Sequence, residues 1–294
     1  MRVAVLNDLP VAGTQTGGTG SGTELSIGHF ARAGHQRGHH VDVVTPQYCA
    51  PDVLSGYDLL ITKNIHAFTK DQRDAVARSR FVAWPSDYQW TKQRLFWAFQ
   101  ERTHDTPEIH AWTNFFQASR LIVYLSPLQR ECYEWVMPAL QGHDAHLTPP
   151  IVDTSLFGPG AWVPDTAATI NGGLPFKGLH NNLKWAYDHP EVRFTFIGAI
   201  RDNVQLPPNA RFVGWQPPRA LAPMMGKTDT YVELPDTPQP ANQSALVGLL
   251  SCRRVVTNKL VGVATYPWWG DRDACRRALD AALPTLWARL EGLA

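Results

Sequence analysis

The stretch Pro149-Pro150-Ile151-Val152-Asp153-Thr154-Ser155-Leu156-Phe157, with Lys177-Gly178 following twenty residues later, decides between one large α/β domain and two. It reads as a join between two doubly wound halves, with a lysine placed to contact phosphate at the start of the second. The Pro- and Gly-rich segment from Pro149 to Pro164 separates two series of alternating strands and helices. Upstream, Val3 to Leu6 is a short apolar run suited to a buried parallel strand. Thr23 to Gln36 has helical spacing in Leu25, Ile27, Phe30 and Ala33 and stops at Arg37-Gly38, and Val41 to Thr45 is the next strand. Such a strand, helix, strand unit implies parallel pairing with a right-handed crossover. Strands are expected at 57–62, 80–84 and 120–125, with an aromatic helix from about Trp90 to Arg102.

Downstream the series restarts. Strands are expected at 168–171, 193–197, 211–213, 230–234 and 255–257, with helices at 179–189 and 244–251. A last amphipathic helix, Arg272 to Leu293, is expected to pack across the domains. The resulting domains are 1–157, 158–265 and a terminal helical segment, 266–294.

Composition narrows the class. The chain has 294 residues, 44% of them hydrophobic and 18% charged, which gives ample core for two domains. No apolar run approaches the roughly 18 to 20 residues of a membrane span, and Asn7 and Asp8 interrupt the first apolar run too soon for a secretion signal. A cytoplasmic location is expected. Cys49, Cys132, Cys252 and Cys275 form no metal-ligand pattern, so reduced thiols and no metal are expected. A net charge of +1 supplies no global field toward nucleic acid or anionic lipid.

Several residues carry chemistry. Lys177, just ahead of a helix starting near Gly178, puts a cation beside backbone N–H groups that favour anions; a surface lysine at a turn accounts for it equally well on spacing alone. The loop Gly13 to Gly22 lets backbone N–H groups approach a ligand closely, yet fits neither GxxxxGK[ST] nor GxGxxG. His66 and Asp87 each follow an expected strand and could orient or deprotonate an acceptor, although a satisfied loop histidine and a turn residue or helix cap explain them too. Trp84, Tyr88, Trp90, Phe96, Trp97 and Phe99, interleaved with Lys92 and Arg94, could form stacking platforms for a sugar or a base, and core packing must absorb at least half of these rings.

These motifs together resemble the GT-B glycosyltransferases of the glycogen synthase and mannosyltransferase kind over nearly the whole chain. Gly20-Ser21-Gly22-Thr23-Glu24 looks like the family's glycine-rich loop, and Arg37-Gly38-His39-His40-Val41-Asp42-Val43 is similar to its "RGHxVxV" strand. Leu125-Ser126 and Pro149 to Phe157 look like "vS" and "pngvDxxxF". Gly172-Gly173-Leu174-Pro175-Phe176-Lys177-Gly178 stands where the family has a phosphate-binding arginine and "KG". Phe212-Val213-Gly214-Trp215 matches "vxFlG", and Leu249 to Thr257 resembles "AmAcGxPVv".

The resemblance implies two Rossmann-like domains with a cleft between them. It also implies an enzyme, a hexosyl- or pentosyltransferase, moving sugar from a nucleotide-diphosphate sugar such as a UDP-sugar to a hydroxyl, without metal or other cofactor and with retention. Lys177, Arg201, Gly20, Gly22 and Gly173 would bind the donor phosphates, and Glu233, Asn242, Gln243 and Ser244 the sugar or ribose. Trp84, Tyr88, Trp90 and Arg94 would bind the acceptor, a glycan, a small molecule or hydroxymethylated DNA. The chain departs from the family at its glutamate pair, where Gln239 and Val247 stand, and before Lys177, where Gly172 replaces the arginine. Arg201 could replace that arginine, and Glu233 or Asp236 an acidic sugar ligand. Two rival readings follow: a phage-type enzyme acting on a hydroxymethylated pyrimidine in DNA, and a GT-B sugar-nucleotide binder without activity.

Overall fold

The computed structural model describes residues 1–8, 22–88, 106–200 and 204–293. They fall into two compact units, one of Met1–Ile151 with Ala281–Ala294 and one of Val152–Asp280.

The first unit holds β1 (Arg2–Leu6), β2 (His40–Val44), β3 (Leu59–Thr62), β4 (Phe81–Ala83), β5 (Ile122–Tyr124) and β6 (Ala145–Leu147). Their order is β2-β1-β3-β4-β5-β6, with every neighbouring pair parallel. The central strand β3, Leu-Leu-Ile-Thr, is buried throughout, as a strand covered on both faces must be. Its helices include Gly22–Gln36, Lys70–Ala77, Pro107–Gln117 and Pro127–Val136. Three of them start on local chemistry: Thr69 and Gln72 form a reciprocal capping box, while Thr106 and Ser126 cap helices whose first residue is proline. Trp112, Phe115, Phe116 and Tyr133 pack among the buried residues under the sheet.

The helix Arg272–Glu291 begins in the second unit and ends in the first. Its Trp287 is fully buried, stacks on Phe30 at 4.3 Å and donates its indole N–H to the Phe30 carbonyl at 3.2 Å. Gly34 makes room for the indole, since a Cβ there would fall 2.8 Å from Trp287 Cη2. Glu291 then accepts from Arg37 at 2.9 and 2.7 Å and pairs with His39 at 2.8 Å. The guanidinium and the imidazole hold the Glu291 carboxyl down at about 2.

The second unit holds β7 (Val163–Ile170), β8 (Arg193–Ile197), β9 (Ala210–Phe212), β10 (Thr228–Glu233) and β11 (Arg254–Thr257), ordered β11-β10-β7-β8-β9 and parallel. Helices Leu179–Asp188, Pro218–Lys227 and Gln243–Ser251 connect them. The expected α/β architecture of two serial parallel sheets is present.

Details differ from the sequence expectation. β7 starts at Val163 rather than Ala168, because Val163 already pairs with Thr228 ahead of an irregularity in the ladder, where Asp165 takes a left-handed φ of 55° before pairing with β10 resumes at Ala167. The edge strand β6 and the helices at 70–77, 107–117, 127–136 and 218–227 add to the expected set. The glycine loop up to Ser21 and most of the aromatic stretch lie outside the described residues. Among the described residues, no helix is long and apolar enough to cross a membrane.

Candidate functional site

In an open parallel sheet, ligands gather outside the carboxyl ends of the strands where the strand order reverses. In the second unit that point lies between β7 and β10, which pair directly while their successors run outward on opposite sides. Residues on this edge are tied into one bonded series. Lys177 and Gly178 close a 3-10 turn, and Gly178 takes a left-handed φ of 80° as it opens helix Leu179–Asp188. Only glycine fits there: a Cβ would lie 2.5 Å from the Leu234 carbonyl carbon, closer still to its oxygen, and 2.8 Å from Pro235 Cα. The helix start is therefore pressed onto the end of β10, with the half-buried Lys177 beside it.

Two asparagines in the first turn hold that contact. Asn182 is fully buried; its Nδ2 donates to the carbonyls of Gly172 at 3.1 Å and Lys177 at 3.3 Å, and its Oδ1 accepts from Leu234 N at 3.2 Å. Asn181 Nδ2 donates to the Leu234 carbonyl at 3.1 Å and to the exposed Asp236 carboxylate at 2.5 Å. The glycine at 172 also has a steric cause, because a Cβ would sit 2.6 Å from Asn182 Nδ2. Gly173 forms a parallel bridge with Ile200, and a Cβ there would meet the Ala199 carbonyl oxygen at 2.6 Å. Gly172 thus makes room for the side chains of Thr169 and Asn182, and Gly173 for the backbone at Ala199 and Ile200.

At the last position of β10, Glu233 is fully buried. Its Oε2 accepts from Tyr231 Oη at 2.6 Å and Ser244 Oγ at 2.9 Å, and its Oε1 accepts from Asn242 Nδ2 at 2.6 Å. Tyr231 and Glu233 share a strand face because side chains alternate with a period of two. Burial, and then the neighbouring Glu233, push the Tyr231 hydroxyl well above its ordinary pKa, so it stays a donor. Gly248 lets helix Gln243–Ser251 settle on that ring, since a Cβ would fall 2.8 Å from Tyr231 Cβ. Asn242, itself buried, has a left-handed φ of 59° and ψ of 64°. Its side chain does not cap the helix; it links Glu233 to Gly262, whose N–H donates to Asn242 Oδ1 at 3.3 Å.

The geometry assigns places to the sequence-derived candidates. Lys177, Gly173, Glu233, Asn242, Gln243 and Ser244 come together on this edge. Glu233 is fully buried and bonded within its own unit; the exposed carboxylate beside the series is Asp236. Asn242 is likewise occupied at both ends of its amide. Gly22 is the exposed first residue of its helix, and Gly20, Arg201, Trp90 and Arg94 lie outside the described residues. Gln239 and Val247, at the glutamate positions, are both buried: Gln239 donates to Thr237 Oγ1 at 2.8 Å, and Val247 packs in the apolar core. That environment accounts for the lack of acid at 247.

In the first unit the strand order reverses between β1 and β3. Asp8 accepts from the backbone N–H groups of His66 at 3.1 Å and Ala67 at 2.9 Å, and the half-buried His66 ring meets Trp112 edge-on at 6.2 Å. Lys63, directly after β3, is 1% exposed, with Nζ 3.6 Å over the Trp84 ring. Burial pushes its pKa well down, and Asp87 opposes that shift. The Asp87 carbonyl accepts from Tyr133 Oη at 2.8 Å, and Gln129 fastens the preceding loop through Pro85 at 3.0 Å. Trp84 and Tyr88 are buried, so they belong to the core of this unit and offer no open stacking face. Sequence reasoning missed Lys63, Asn181 and Asn182; a lysine closing an apolar strand and paired asparagines after Lys-Gly were the available signals.

No family model matches the chain, and no curated protein matches it in sequence. Solved structures do match. Sucrose-phosphate synthase from Thermosynechococcus elongatus aligns with a TM-score of 0.72 at 13% identity, over 100% of both chains. The Anabaena protein HepE, in complex with UDP and glucose, gives 0.61 at 13% identity over 97% of this chain and 91% of that one. An α-glucosyltransferase in complex with UDP and a 13-mer DNA containing a HMU base gives 0.58 at 12% identity, over 97% and 90%. The likeness is one of fold, that of the GT-B glycosyltransferases with two Rossmann-like units.

Proposed function

We propose that this chain is a metal-independent, retaining glycosyltransferase that takes a nucleotide-diphosphate sugar, with UDP-glucose the first donor to test, and transfers the sugar to a hydroxyl. The observation that carries the reading is the bonded series on the second sheet's edge, from Gly172 through Asn182, Lys177 and Leu234 to Glu233, Asn242 and Ser244. As the glycosidic bond breaks, negative charge develops on the leaving diphosphate, and fixed donors that need no reorganisation stabilise it. Lys177 supplies a cation, and the N-terminal turn of helix Leu179–Asp188 supplies oriented N–H groups. Asp236, held by Asn181, is placed to accept from a sugar or ribose hydroxyl. In the first unit, Asp87 is the acceptor-side base, and His66 and Asp8 belong to the acceptor end of the same reaction. The protein works in the cytoplasm, consistent with four free cysteines.

The test is UDP binding by calorimetry and UDP-glucose turnover in the wild-type protein and Lys177→Ala. Loss of the lysine should reduce turnover by about tenfold or more, on the order of 1.4 kcal/mol of transition-state stabilisation. Equal kinetics in the two proteins would remove the phosphate role.

A second reading is favoured by the DNA-bound neighbour: the acceptor is a hydroxymethylated pyrimidine in DNA. Such an enzyme must extrude the base and neutralise phosphates. Turnover with hydroxymethylated DNA should then fall steeply with salt, and a flat salt dependence or no DNA turnover would favour a glycan or small-molecule acceptor.

A further inference from the structure

We propose that Glu233 is a positioning residue, which locks Asn242 in its left-handed conformation and so fixes the turn from which the donor-binding residues Gln243 and Ser244 are presented. The proposal rests on the donor site described under Proposed function. It assigns to this carboxylate a role distinct from contact with sugar.

A buried carboxylate must be repaid by donors that cannot wander, and a left-handed non-glycine residue carries strain that its surroundings must over-determine. Here one network meets both requirements. Asn242 Nδ2 donates to Glu233 Oε1 at 2.6 Å while Ser244 Oγ, two residues later, donates to Oε2 at 2.9 Å. One carboxylate therefore grips the chain on both sides of Gln243. Tyr231 Oη, at 2.6 Å from Oε2, braces it from its own strand, and Gly262 N–H holds the far end of the Asn242 amide. Asn242 stands at the cap position of helix Gln243–Ser251, but its side chain is thus drawn away from the capping bond that this residue type commonly makes.

Asn171, at the end of β7, repeats the device. It too is left-handed, with φ of 57°, and its Oδ1 accepts from Ala199 N at 3.2 Å. Strained asparagines therefore stand beyond both strands that flank the reversal point of the sheet.

The experiment compares Asn242→Gly with Asn242→Ala, and Glu233→Gln with wild type, using UDP and uridine as probes in calorimetry and UDP-glucose for kinetics. Both substitutions at 242 remove the bonds to Glu233 and Gly262, but glycine adopts positive φ without cost and alanine does not. Asn242→Gly should keep most of the UDP affinity, whereas Asn242→Ala should lose about tenfold. Glu233→Gln, which keeps shape but turns one acceptor into a donor, should weaken UDP and uridine alike by about tenfold, since Gln243 and Ser244 meet the ribose that both probes carry. Equal losses for glycine and alanine would overturn the proposal, as would unchanged binding of both UDP and uridine in Glu233→Gln. Should Glu233→Gln fail to fold, the pair at 242 still decides. If wild type binds no UDP, the donor-site reading fails first; if wild type binds UDP, Lys177→Ala weakens it and the 242 pair shows no difference, only the positioning role is lost.

Discussion

Gly178→Ala is the substitution whose cost follows most directly from the coordinates. The residue sits at φ of 80°, and an added Cβ would lie 2.5 Å from the Leu234 carbonyl carbon and 2.8 Å from Pro235 Cα. The left-handed conformation alone costs a residue with a Cβ about 1–2 kcal/mol. Overlap with backbone, which cannot rotate aside as a side chain can, adds about 1–3 kcal/mol. The sum is about 2–5 kcal/mol, and at roughly 3 °C per kcal/mol the melting temperature should fall by about 6–15 °C. Gly38 supplies the internal control, because it has the same φ of 80° and no atom within 4 Å of its added Cβ. Gly38→Ala should therefore cost only the conformational part, about 1–2 kcal/mol. Calorimetric unfolding of both variants beside wild type measures the difference. If Gly178→Ala melts no lower than Gly38→Ala, helix Leu179–Asp188 is not pressed onto β10 as described, and the placement of Lys177 falls with it.

Three further outcomes are expected. Glu291 has its folded-state pKa lowered to about 2 from 4.5, so its contribution is complete above pH 4.5 and is lost as pH falls toward 2; acid titration of stability should be flatter in Glu291→Gln. Lys63 has its pKa pushed down by burial, so the unfolded state binds its proton more readily and wild-type stability should rise with pH toward 10.5; Lys63→Met should abolish that rise and be neutral to stabilising below it, as seen in melting temperatures at pH 7 to 10. Trp287→Ala should cost about 3–5 kcal/mol by denaturant titration, because the indole is fully buried against Phe30 and beside Gly34.

Much of the architecture was legible because parallel strands covered on both faces must be short and apolar, which made β1, β3 and β5 visible as runs. β6 was not, since Ala-His-Leu at an edge needs little apolar surface and is only half-buried. β7 was read too short because Pro164 and Asp165 carry the chemistry of a linker, and the ladder to β10 is interrupted there between Val163 and Ala167. In the candidate site, Lys177 beside glycine was legible as a cation at a helix start. The bond from Glu233 to Asn242 was not, because it joins residues nine apart through a reversal of the chain. Trp84 and Tyr88 looked like platforms by composition; only the packing around Phe30, Lys63 and Tyr133 shows that those rings have no open face.

The division of helix Arg272–Glu291 between units bears on the order of assembly. The unit of Val152–Asp280 is one unbroken length of chain and has everything it needs once residue 280 has been made. The other starts at Met1, but Phe30 lacks the aromatic ring that covers it until Trp287 is synthesised. Until Trp287 has been added, the sheet formed by the earlier strands carries an apolar flank uncovered at Phe30.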